Sequence, residues 1–122
     1  MPLTAFENLA TSLKTADPIG DLRQGLIGDG IEIPGLNGTN KMVYADYVAS
    51  GRALAQVEDF VLHNVLPYYS NSHTEASYCG AHISALRAEA RGVIAKACGA
   101  GAEHVVIFTG TGATAGMKRS VH

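Results

Sequence analysis

Apolar and polar positions alternate along this chain in ways that predict several short elements. Phe6, Leu9 and Leu13 recur at helical spacing behind Thr4 and Glu7, which form a Thr-x-x-Glu capping box. An amphipathic helix is expected over 4–16, ended by Asp17-Pro18, because the residue before proline avoids the helical region. Asp21 is expected to cap a short helix through Leu22, Leu26 and Ile27 that stops at Gly28. Ile31-Glu32-Ile33 alternates like a strand, Pro34 to Asn40 is a cluster of turn residues, and Lys41 to Tyr44 forms the return strand. A β-hairpin is therefore predicted over 31–44.

Leu54, Val57, Val61 and Val65 predict a helix over 52–66 with Pro67 as its terminator. Tyr68 to Gly80 has no period and is rich in Ser, Thr, Asn, Tyr and His, the composition of a polar loop. Ile83, Leu86, Ala90, Ile94 and Ala97 place a helix over 83–98, with Gly99 as its stop. His104 to Phe108 is continuous, β-branched and flanked by turn signals, the pattern of a fully buried strand. A further helix opens at about Thr111. The fold expected is α/β: helix-rich, with one buried strand and a short β-hairpin. Residues 1–50 would form an N-terminal helix and hairpin segment, and 51–122 the start of a larger domain. A parallel neighbour for the 104–108 strand needs a crossover of a dozen or more residues, so this domain is expected to be incomplete.

Composition narrows the function classes. The 122 residues are 47% hydrophobic and 16% charged, which excludes a disordered chain. The net charge of −2 argues against nucleic acid as a partner and against a polybasic membrane-surface protein. No apolar run approaches the roughly 18 residues that span a bilayer. Glu7 and Asp17 interrupt any signal-peptide layout, so a cytoplasmic location is expected. Cys79 and Cys98 lack metal-ligand spacing and are expected to be reduced thiols, with no metal site.

The segment Phe108-Thr109-Gly110-Thr111-Gly112-Ala113-Thr114-Ala115-Gly116 carries the strongest chemistry. A strand, a glycine-rich turn and a helix start bring free amides, close backbone approach and the positive helix end to one place, which suits a phosphate group. The lysine of a P-loop is missing, and Gly110-x-Gly112-x-x-x-Gly116 is one residue wider than the dinucleotide fingerprint. A glycine-rich turn with no ligand is the plain structural alternative.

Four ordered stretches make the chain resemble the N-terminal portion of a class V aminotransferase, the pyridoxal-phosphate group that includes cysteine desulfurases. They are Val43 to Arg52, Tyr69 to Thr74, Arg87 to Arg91, and Val106 to Thr114; the likeness covers roughly residues 20–122. The resemblance implies the large domain of a fold type I transferase, pyridoxal phosphate as cofactor, an amino-acid substrate and a homodimer for a complete protein. It implies that Gly112, Ala113 and Thr114 hold the cofactor phosphate. It places Ala49 and Ser50 beside the substrate carboxylate, and Asn71 and His73 near the active-site mouth; the competing reading of His73 is a hydrogen bonder that orders its loop. Arg87 and Arg91 are expected to be helix-surface or interface charges.

The family's Schiff-base lysine, its aspartate on the pyridine nitrogen, its late arginine and the desulfurase cysteine match no residue of this sequence, and Lys118, Cys79 and Cys98 are poor substitutes. The expectation is a partial enzyme carrying the phosphate loop, with no catalytic residue of its own. The alternatives are a non-catalytic phosphate- or nucleotide-binding module using the same loop, and a truncated product without independent function.

Overall fold

A computed structural model describes residues 4–72, 74–110 and 112–120. It combines five α-helices with a two-stranded antiparallel sheet among the described residues, a mixed helix-and-sheet architecture that is α/β only in a broad sense. The chain divides into two compact units, Met1–Tyr69 and Ser70–His122.

In the first unit, α1 spans Ala5–Ser12. Its capping box is formed: the Glu7 amide donates to Thr4 Oγ1 at 3.3 Å, and the Thr4 amide donates to Glu7 Oε2 at 2.8 Å. The second helix, α2, spans Pro18–Gln24. Here the cap is Asp17 rather than Asp21, with Pro18 in the first turn and the Gly20 amide donating to Asp17 Oδ1 at 3.0 Å. Proline lacks the amide that an N-terminal turn leaves unbonded, so Asp17-Pro18 starts this helix. It does not end the previous one, which stops at Ser12 with Leu13 as its C-cap rather than running to residue 16.

Strand β1 (Glu32–Gly35) pairs with β2 (Gly38–Lys41), with Glu32 opposite Lys41 and Gly35 opposite Gly38. A hairpin is present within 31–44, but its strands run into the predicted turn: β2 is Gly38–Lys41 rather than 41–44, and every residue of β1 and β2 is exposed. Helix α3 spans Ala55–Phe60 and runs on as a π-helical turn, Val61–Val65, and a 3₁₀ turn, Leu66–Tyr68. Pro67 therefore does not stop the helix at once. The changed hydrogen-bond spacing around it accommodates a residue that has no amide and would clash in a regular α-turn. Phe6 and Phe60 stack at 5.1 Å between ring centroids and join α1 to α3.

In the second unit, α4 spans Tyr78–Ala97, beginning five residues earlier than its apolar period. Ser77 caps it, accepting from the Gly80 amide at 3.1 Å. Gly99 follows the C-cap with a φ of +66°, the expected left-handed stop. Helix α5 spans Gly112–Ser120, close to where a helix was expected to open.

The buried strand is not observed. Residues 104–109 form no strand, and between 105 and 109 no backbone hydrogen bond joins them to another described residue. Val105, Ile107 and Phe108 are 80%, 57% and 41% exposed. A β-strand exists only through its ladder partners, and the described residues contain none for this segment. The consequence reaches the whole chain: no hydrophobic residue among those described is buried, and Gly80 alone falls in the buried class.

Candidate functional site

The glycine-rich segment turns sharply. Gly110 has a φ of +101° and Gly112 a φ of +75°, values that residues with a Cβ rarely adopt. Among the described residues, apart from the immediate chain and helix backbone, no atom lies within 4 Å of a Cβ built on either, so the backbone here faces open space. Gly112, Ala113 and Thr114 are exposed and form the first turn of α5. The amides of such a turn have no intrahelical acceptor. This combination suits the phosphate end of a phosphorylated cofactor, with Gly112, Ala113 and Thr114 as the residues that would hold it. Thr111 lies outside the described residues.

The other expected site residues belong to different places. Ala49 and Ser50 lie in the first unit, on a turn in which both amides donate to the Asp46 carbonyl at 3.2 Å. Tyr44 Oη donates to the Ser50 carbonyl at 2.6 Å and braces this turn, while the Tyr47 ring meets Tyr44 edge-on at 5.2 Å. Asn71 lies in the second unit and is exposed. His73 lies outside the described residues.

Sequence reasoning treated Arg87 and Arg91 as surface charges, and the structure gives them a shared neighbour. Their Cζ atoms lie 5.9 and 5.3 Å from the centroid of Phe108. Arg87 Nη1 also donates to Ser72 Oγ at 3.2 Å, and Ser84 Oγ donates to the Ser72 carbonyl at 2.9 Å. The i, i+4 spacing of the two arginines was the available signal, since it sets both on one helix face. The aromatic partner had no local signature.

Cys79 and Cys98 are both free thiols. Among the described residues no group of three or more His, Cys, Asp or Glu could hold a metal, and no helix is long and apolar enough to cross a membrane. No family model, curated protein or solved structure matches the chain.

Proposed function

We propose that this chain carries the cofactor-phosphate loop of a pyridoxal-phosphate enzyme of the class V aminotransferase and cysteine desulfurase kind. In this reading Gly112, Ala113 and Thr114 donate backbone amides to the phosphate, and the Thr114 hydroxyl adds a further donor. The observation that carries it is the pair of left-handed glycines opening into α5 with empty space above both. Free amides, close backbone approach and the positive end of the helix converge there on one anion.

Bound pyridoxal phosphate supplies the electron-withdrawing ring that stabilises carbanions at an amino-acid carbon. This chain's own contribution is to anchor and orient that group through its phosphate. Lys14, Lys41, Lys96 and Lys118 are all exposed. None matches the family's Schiff-base position, so the proposed role is anchoring and not covalent catalysis.

The test is an amide-resolved NMR titration with pyridoxal phosphate, unphosphorylated pyridoxal, inorganic phosphate and a nucleoside monophosphate. The expected result is saturable shifts at Gly112, Ala113 and Thr114 with the phosphorylated compounds and none with pyridoxal. Gly112→Val should abolish them, because a side chain is strained at that φ and blocks approach. Shifts confined to other residues overturn the proposal. Tighter binding of the nucleotide than of pyridoxal phosphate favours the non-catalytic nucleotide-binding module instead.

A further inference from the structure

Nine lysines and arginines occur in the chain. Only Arg52, Arg87 and Arg91 among them are half-buried; the rest are exposed. Arg52 has a protein acceptor, the Ile27 carbonyl at 2.7 Å. Arg91 has no hydrogen-bond acceptor among the described residues, and Arg87 has one neutral hydroxyl, that of Ser72. The one ion pair among the described residues joins His104 to Glu103, so no described carboxylate lies within 4 Å of either guanidinium of the α4 pair.

A guanidinium presents five N–H donors, and none of the unbonded nitrogens of Arg87 and Arg91 is buried, so an incoming anion can reach them. Here two such groups, one helical turn apart, share the Phe108 ring. An arginine that packs over a ring keeps its in-plane N–H edge available for an anion. The Ser84–Ser72–Arg87 chain of hydrogen bonds holds one of the two in place. Arg91 also stands beside an apolar groove lined by Gly92, Ala95, Val105 and Ile107. Two adjacent positive charges attract a doubly charged anion more strongly than a singly charged one, and the groove offers contact to a carbon skeleton.

We propose that Arg87 and Arg91 form a receptor for an organic dianion, a phosphate monoester or a dicarboxylate, with its charged group between the guanidiniums and its carbon atoms in the groove. The proposal uses other donors than the amides of Gly112 to Thr114 and does not depend on their binding phosphate.

The experiment follows the side-chain Nε–Hε signals of Arg87 and Arg91 in the full chain. Inorganic phosphate, phenyl phosphate and succinate are titrated at constant ionic strength, with sodium chloride as the reference. Both signals should shift saturably with phenyl phosphate or succinate, and phenyl phosphate should bind more tightly than inorganic phosphate. Whichever of phenyl phosphate and succinate binds tighter identifies the source of the dianion. Arg91→Gln should weaken binding about tenfold or more, the scale of a lost charged hydrogen bond, with Arg91→Lys intermediate. Readout on the unsubstituted protein keeps the test valid if a variant unfolds. Shifts equal to those from chloride, or affinity unchanged in Arg91→Gln, overturn the proposal. Shifts at the Gly112 to Thr114 amides without arginine shifts support the phosphate loop and overturn this site.

Discussion

Arg52 donates from Nη2 to the Ile27 carbonyl at 2.7 Å, a tie across 25 positions of sequence. Around it the Ile27 amide donates to the Ala53 carbonyl at 3.0 Å, and the Ala55 amide donates to the Gly25 carbonyl at 2.8 Å. Gln56 Nε2 adds a bond to the Asp21 carbonyl at 2.8 Å. The first unit is thus held in large part by polar links between the turn after α2 and the start of α3. Of its aromatic contacts, Phe6 on Phe60 joins α1 to α3, while Tyr44 on Tyr47 is local.

Replacing Arg52 with alanine should therefore loosen the 25–28 turn. The lost charged hydrogen bond and the packing over Tyr44, 5.0 Å from guanidinium carbon to ring centroid, together suggest a cost of about 1–2 kcal/mol. Native-state amide exchange checks this: protection at Ile27 and Ala55 should fall, while α4 is unaffected.

At the start of α4, Gly80 is buried, and a Cβ there would collide with the Thr74 carbonyl oxygen. Gly80→Val should cost about 1–3 kcal/mol through overpacking. Ser77→Ala, which removes the cap, should cost about 1 kcal/mol. Circular dichroism during thermal unfolding reads both, and a Gly80→Val protein as stable as the parent would contradict the packing described.

The Val105 to Phe108 segment predicts self-association. It is apolar and exposed, and its main chain has no ladder partner among the described residues. Such edges template pairing with another chain. Sedimentation analysis should show an oligomer or aggregate that Ile107→Lys shifts toward monomer. A compact monomer with strongly protected amides at 105–108 would refute this.

With pyridoxal phosphate, the chain should form no single stoichiometric Schiff base. Borohydride reduction and peptide mapping should find, at most, scattered labelling of Lys14, Lys41, Lys96 and Lys118, all of them exposed. One fully labelled lysine would refute this expectation and give the chain a covalent site.

Local chemistry was legible in the residues themselves. The Thr4–Glu7 box and the stop at Gly99 each depend on residues a few positions apart, so their sequence patterns carry enough of the cause. A hairpin was legible too, but not its register, since Gly38 to Lys41 pair as a strand where the residue types read as a turn. The glycine-rich turn into α5 was equally visible, because its φ values demand glycine. The exchange of Asp21 for Asp17 as the α2 cap shows the limit even there: both aspartates suit a cap, and the position of Pro18 decided between them. What the local pattern could not decide was pairing. The β-branched run at 104–108 has strand propensity, but a strand needs hydrogen-bonding neighbours, and tertiary structure left it exposed. The same holds for Arg87 and Arg91. Their spacing set them on one face of α4, and only folding brought Phe108, a residue far along the chain, beneath both charges.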